Sequence, residues 1–151
     1  MNVLDYIDQS RVSFLSDKTK NECLKSLTLS SNECLYNCDD FLDSLLEREA
    51  LMSTGLGFEL AFPHSKSDSV INFFISIGII NAGVEWGSFD RLPVKIIFLI
   101  GGLVEEQERY LKLLAALSNL VSNTTNRTEL LKSQSPAEFH NTFSKLASNQ
   151  T

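Results

Sequence analysis

His64 is one of only two histidines in the chain, and it follows Pro63 at the end of a short apolar run, Leu60-Ala61-Phe62. The proline fixes the backbone just before the ring. Arg48 and the hydroxyls of Ser53 and Thr54 lie upstream, and Ser65 follows directly. A neutral imidazole is a nucleophile toward phosphorus near neutral pH. Phosphoryl transfer asks little more covalent chemistry of a protein; it asks for in-line positioning and for donors around the moving charge. A guanidinium fork, hydroxyls and backbone N–H groups are such donors. Gly55 and Gly57, within Ser53-Thr54-Gly55-Leu56-Gly57, let the backbone turn and let other groups approach it closely. The residues alone leave a second reading open. His64 would then be a core histidine bonded to a backbone carbonyl, Arg48 an exposed helix residue paired with Glu47, Glu49 or Ser44, and Gly-x-Gly a plain turn.

Other chemistries find less support. No third glycine completes a dinucleotide fingerprint, and no Gly-x4-Gly-Lys-Ser/Thr loop is present. Phosphate would therefore come from another protein or a small donor. Cys23, Cys34 and Cys38 are odd in number, which argues against a full disulfide set. Cys34-x-x-x-Cys38 lacks a second Cys or His pair for zinc. All three read as free thiols in a reducing compartment, with no metal and no cofactor expected. A formal net charge of -6 argues against a nucleic-acid surface. The apolar runs are too short to cross a bilayer, and the acidic, interrupted start shows no signal peptide. A cytoplasmic protein with no membrane insertion is expected.

The chain of 151 residues fits a single domain, 1–151. A first strand is expected at 11–15, and a helix capped by Ser16 or Asp17 to about Leu27. Residues 30–37 read as a loop. Asp39 or Asp40 should cap a second helix carrying Phe41, Leu42, Leu45 and Leu46 inward, with Arg48 near its end. Phe58, Leu60 and Phe62 alternate with Glu59 and Ala61, a strand pattern. Residues 72–80 and 94–100 are uniformly apolar, as in strands covered on both faces. Residues 83–93 connect them, and Gly101-Gly102 ends the second. Residues 105–121 form an amphipathic helix whose apolar stripe includes Tyr110, there read as a packing residue with its hydroxyl reaching water. A short helix over 126–132 follows. Ser135-Pro136-Ala137-Glu138 then caps a last helix, on which His140 reads as a surface residue. Strands alternating with helices give an α/β protein, and ligand chemistry in such folds sits at strand ends, where His64 falls.

Across nearly its full length the chain resembles the type-2 enzyme IIA family of the bacterial phosphotransferase system, the fructose, mannitol and nitrogen-regulatory group. The likeness is carried by Leu46-Glu47-Arg48-Glu49-Ala50-Leu51-Met52-Ser53-Thr54-Gly55-Leu56-Gly57 and Leu60-Ala61-Phe62-Pro63-His64. It continues through Leu92-Pro93-Val94-Lys95-Ile96-Ile97-Phe98-Leu99, Tyr110-Leu111-Lys112-Leu113-Leu114-Ala115-Ala116-Leu117 and Ser135-Pro136-Ala137-Glu138-Phe139. The resemblance implies a three-layer α/β/α sandwich on a mixed β-sheet. It implies that His64 takes phosphate from an HPr-like phosphocarrier, holds it on Nε2, and passes it to an EIIB cysteine or histidine. Alternatively, its phosphorylation state acts as a signal to a regulated target, as in the nitrogen-regulatory branch, which a stand-alone domain favours. Arg48 matches the family's active-site arginine; Ser53, Thr54, Gly55, Gly57, Ser65 and Tyr110 would support the phosphate. The chain departs from the pattern at three places: Ser65 replaces a glycine, Phe58-Glu59 replaces Asn-Gly or a similar pair, and Tyr110 replaces a second histidine. A phenol donates one hydrogen bond but cannot become a cation. These departures keep a second expectation in play, a regulatory binding module with slow or lost phosphotransfer.

Overall fold

The computed structural model describes residues 2–149. Strand β1 (Ile7–Phe14) follows a 3₁₀ turn, and helices α1 (Lys20–Ser30) and α2 (Cys38–Leu51) come next. Three short strands, β2 (Gly55–Gly57), β3 (Leu60–Ala61) and β4 (His64–Lys66), precede the long strands β5 (Phe74–Val84) and β6 (Val94–Gly102). Helices α3 (Gln107–Val121), α4 (Thr124–Leu131) and α5 (Pro136–Ser148) complete the chain. The sheet order is β1-β5-β6-β3-β2, with β4 also on β6. β1 runs parallel to β5, β5 antiparallel to β6, and β3 and β4 parallel to β6, so the sheet is mixed.

The apolar strands divide their side chains between two layers, as the two-residue period requires. Ile75, Ile77, Ile79, Ile96, Phe98 and Ile100 pack with Leu113, Leu117, Phe139 and Phe143 of α3 and α5. Phe74, Ile80, Val84, Val94, Ile97 and Leu99 pack with Leu24 and Leu27 of α1, Phe41 and Leu45 of α2, and Trp86. Helices thus cover both faces, giving the α/β/α sandwich expected from the family likeness.

Several element starts fall elsewhere than the sequence reading places them. β1 begins at Ile7, because Ile7 pairs with Ile75 before a register shift leads to Val12 opposite Ile77. α1 starts after Thr19, whose side chain accepts from Glu22 N and donates to Glu22 Oε1. Thr19-x-x-Glu22 has the capping-box spacing, with Glu22 reaching back to the Thr19 hydroxyl, so Thr19 and not Ser16 or Asp17 caps the helix. Asn37, not Asp39 or Asp40, caps α2 by accepting from Asp40 N. α4 starts at Thr124, two residues before the expected start, because Asn123 caps it. α3 begins at Gln107.

The largest correction concerns Phe58 and Glu59, which are not strand residues. They are the two central residues of the β2–β3 hairpin, with φ of 57° and 67°. A two-residue turn with positive φ at both positions is the type I′ geometry that favours Asn-Gly. The side chains make the turn tolerable: Asp90 Oδ2 accepts from Phe58 N at 2.8 Å, the Arg127 guanidinium lies 4.7 Å from the Phe58 ring centroid, and Lys95 pairs with Glu59 at 3.1 Å. An L-residue in this region costs about 1–2 kcal/mol, whereas a half-exposed ion pair returns under about 1 kcal/mol. Glu59→Gly is therefore expected to raise stability by roughly 0.5–1 kcal/mol in urea unfolding. A loss of stability would mean the Lys95 pair outweighs the backbone strain.

β3 and β4 behave as one strand with a gap. Leu60 lies opposite Ile96, Ala61 opposite Ile97, His64 opposite Ile100 and Lys66 opposite Gly102, so the offset to β6 is the same before and after the gap. Phe62 and Pro63 fill the gap, and Pro63 keeps contact by accepting from Ile100 N at 3.0 Å. Proline has no N–H to contribute to a ladder, so pairing lapses here without stranding a donor. Among the described residues no helix is long and apolar enough to cross a membrane.

Candidate functional site

The gap in β3–β4 sets the orientation of His64. Phe62 N donates to Thr54 O at 3.0 Å, and the His64 ring turns back so that Nδ1 sits 2.8 Å from Phe62 O. A carbonyl oxygen only accepts, so Nδ1 carries the proton and, in the neutral ring, Nε2 keeps the lone pair. His64 is half-buried. Burial lowers its pKa below the ordinary histidine value; the Phe62 carbonyl opposes this, the charges of Arg48 and Lys66 add to it, and Glu49 opposes it. The ring is thus held neutral and nucleophilic near pH 7.

Helix α2 brings up the cation. Phe41, Leu45 and Glu49 are its buried positions, at four-residue spacing, and Arg48 lies beside that stripe near its last turn. Arg48 Nη1 donates to Met52 O at 2.9 Å, tying the guanidinium to the helix end. One turn earlier, Ser44 is hydrogen-bonded to Ser65, the residue after His64. α2 therefore packs directly on β4.

Helix α3 supplies the third side. Tyr110 is 5% exposed, and its ring centroid is 5.5 Å from that of His64 at an interplanar angle of 50°. Its hydroxyl is buried and has no hydrogen-bond partner. Burial pushes the phenol well above its usual pKa, against a smaller opposing effect of the Arg48 charge. Lys66 Nζ lies 5.6 Å from the Tyr110 centroid and bonds to Gln107 at the start of α3. Two cations, one phenol and one imidazole therefore converge at the end of β4. The orphan hydroxyl departs from the sequence expectation that it reaches water.

The Ser-Thr-Gly-x-Gly loop behaves differently. Ser53 Oγ donates to Trp86 O at 2.8 Å and accepts from Gly55 N at 3.1 Å. Thr54 donates its hydroxyl to Glu49. Ser65 is paired with Ser44. Each hydroxyl is engaged within the fold. Gly55 admits Ser88, whose Oγ would lie 2.1 Å from a Cβ there, and Gly57 adopts φ of 86° to open the hairpin. These residues build the wall of the site and hold Phe62, and through Phe62 they hold His64.

Glu49 is the residue the sequence reading placed only as an ion-pair partner of Arg48. It is 6% exposed and accepts from Thr54 N at 2.7 Å, from the Thr54 hydroxyl and from Trp86 Nε1 at 3.2 Å, with Lys20 Nζ at 3.6 Å. A carboxylate in series with Phe41 and Leu45 on an inward helical stripe was the available signal, since a buried charge needs partners. The hydrogen bonds run Glu49 to Thr54, Thr54 O to Phe62 N, and Phe62 O to His64 Nδ1, so the network reaches the imidazole. Cys23, the alternative nucleophile by type, is buried and its thiol is pushed up to about 11 by that burial, helped by Asp17 and Glu22.

The chain is similar to known proteins in sequence and in fold. The fructose-specific EIIABC component of Bacillus subtilis is 35% identical over 95 residues, which is 63% of this chain and 15% of that protein. The fructose-specific EIIA component of Haloferax volcanii is 34% identical over 97 residues, 64% of this chain and 63% of that one. The chain thus spans less than two thirds of either relative's length. Among solved structures, the nitrogen regulatory protein IIA-Ntr of Neisseria meningitidis superposes with a TM-score of 0.86 at 22% identity, covering 93% of this chain and 97% of that one. Mannitol IIA of Escherichia coli, in its complex with phosphorylated IIB, gives 0.77 at 18% identity, covering 95% and 98%. These two show the fold. The family model for the phosphoenolpyruvate-dependent sugar phosphotransferase system, EIIA 2, matches residues 5–146, and the chain belongs to that family.

Proposed function

We propose that this protein is a phosphoryl carrier of the phosphotransferase system, with His64 as acceptor and Arg48 as its principal cation. The observation that carries the reading is the Nδ1 bond to Phe62 O, which leaves Nε2 as the nucleophile. The Nε2 lone pair attacks the phosphorus of a phosphohistidine on an HPr-like carrier. The N–P bond of the donor breaks, its imidazole recovers the electron pair, and the Nε2–P bond forms. A PO₃⁻ unit moves and no proton does, because Nδ1 keeps its hydrogen on Phe62 O. Arg48 and Lys66 offset the phosphoryl charge, and Tyr110 supports it. Ser53, Thr54, Gly55, Gly57 and Ser65 act through the loop and strand that aim the ring. Reversal of the step delivers the group to an EIIB-type acceptor, as the mannitol IIA–IIB complex illustrates for its own pair. We place the carrier in one domain, 1–151, in the cytoplasm.

The test is incubation with enzyme I, HPr and phosphoenolpyruvate, read by intact mass. One added phosphoryl group that moves on to a fructose-type EIIB supports the carrier role. A group that is accepted and then retained supports the nitrogen-regulatory branch, and no gain with any carrier leaves a protein-binding module. Acidity gives a second measurement. The depressed pKa of His64 keeps Nε2 free below the ordinary histidine midpoint of about 6.5, so the acceptance rate should hold through that pH and fall only further into acid. Unfolded chain takes up the proton first, so acid should also lower stability between the two values. An NMR midpoint for His64 at or above the ordinary value would contradict both statements.

A further inference from the structure

Tyr110 has a feature that phosphate support alone does not use. Its hydroxyl is buried without a partner in the free protein, a cost the fold carries until an acceptor arrives. The helix that bears it starts without a side-chain cap. Glu106, the residue before α3, makes no side-chain capping bond, and the first turn is held from outside by the Lys66–Gln107 contact and by a 3.4 Å pair between Glu106 and Arg109. Further along, Leu113, Leu117 and Leu120 are fully buried and fix the rest of the helix. The first turns, residues 107–111, have fewer such anchors: Tyr110 is packed in the core and its N–H donates to Glu106 O at 3.1 Å, while Leu111 is 53% exposed.

From this arrangement, and resting on His64 as the phosphoryl site, we infer that Tyr110 reads the phosphorylation state: its hydroxyl donates to a phosphoryl oxygen on Nε2 and so tightens the first turns of α3. The phosphorylated protein then presents a more firmly held 107–111 segment than the free protein does. Lys66 works in the same direction, since it lies over the Tyr110 ring, bonds Gln107 and is drawn to the same anion. A phosphoryl group would thus be visible to a partner on the outer face of α3 as well as at the imidazole.

Hydrogen exchange of peptides covering 107–113 tests this in a His140→Asn background, in which His64 is the only histidine left to charge. Potassium phosphoramidate serves as a small donor: its N–P bond breaks, ammonia leaves and the Nε2–P bond forms. Wild type and Tyr110→Phe are charged to the same extent by mass and compared with their uncharged forms. Exchange over 107–111 is expected to slow about tenfold on charging in wild type, the scale of one hydrogen bond to a charged acceptor, and to stay unchanged in Tyr110→Phe. Equal slowing in both, or none in wild type, overturns the inference. Tyr110→Phe removes only an unpartnered hydroxyl and should fold. If phosphoramidate charges His64 but HPr does not, the carrier reading fails and the Tyr110 comparison still stands. If neither charges His64, both fall.

Discussion

His64→Ala is expected to abolish phosphoryl acceptance completely while leaving the fold in place. The substitution removes the only group at the β4 end whose lone pair is both free and directed. Nothing nearby can replace it: the Ser65 hydroxyl is paired with Ser44, the Thr54 hydroxyl with Glu49, and the Tyr110 phenol stays protonated in its buried position. The structural loss is small, because the ring is only half-buried and makes a single hydrogen bond. A stability change of about 1 kcal/mol is expected. Arg48→Ala should retain acceptance but slow it by about 10²–10³-fold, the usual cost of losing one preorganised charge donor, with little unfolding cost since it forfeits a single bond to Met52 O. Time courses by intact mass decide both. A His64→Ala protein that still gains a phosphoryl group would move the acceptor elsewhere.

Glu49→Ala should be among the most destabilising single substitutions in the chain. It strands Thr54 N–H, takes the acceptor from the Thr54 hydroxyl, leaves Trp86 Nε1–H with Thr54 Oγ1 as its one partner, and leaves Lys20 without its counter-ion. Removing one partner of a buried charged network typically costs about 3–5 kcal/mol, against a total of roughly 5–15 kcal/mol for a domain. Glu49→Gln should cost less, because its oxygen can still accept from Thr54 N while its amide group opposes the indole N–H. Urea unfolding measures both. The effect reaches function as well: with Thr54 loosened, Phe62 loses its anchor and the His64 ring its fixed tautomer. A cost under about 1 kcal/mol for Glu49→Ala would show that water replaces the carboxylate.

What the sequence made legible follows from what each signal depends on. The central strands and the amphipathic α3 stood out because burial on two faces, or on one stripe, leaves a pattern in every residue. The caps Thr19 and Asn37 were written locally but sat among competing Ser and Asp residues. Phe58 was misplaced because an aromatic alternating with apolar neighbours mimics a strand, whereas its real state depends on Asp90 and Arg127, distant in sequence. Likewise the hydroxyls of Ser53 and Thr54 could be nominated by type, but their engagement with Trp86 and Glu49 is tertiary. His64 and Arg48 were nominated by residue type and family likeness; the tautomer was not legible, since it rests on a backbone gap that no residue code announces.

That gap has an evolutionary corollary. The atom that fixes the His64 tautomer is a main-chain oxygen, present whatever amino acid occupies position 62. In sites where a carboxylate plays that part, one codon change can scramble the choice. Here the polarity of the imidazole is inherited with the path of the polypeptide, which leaves the neighbours at 65 and 110 free to drift toward new donors, partners or rates without putting the wrong face of the ring forward.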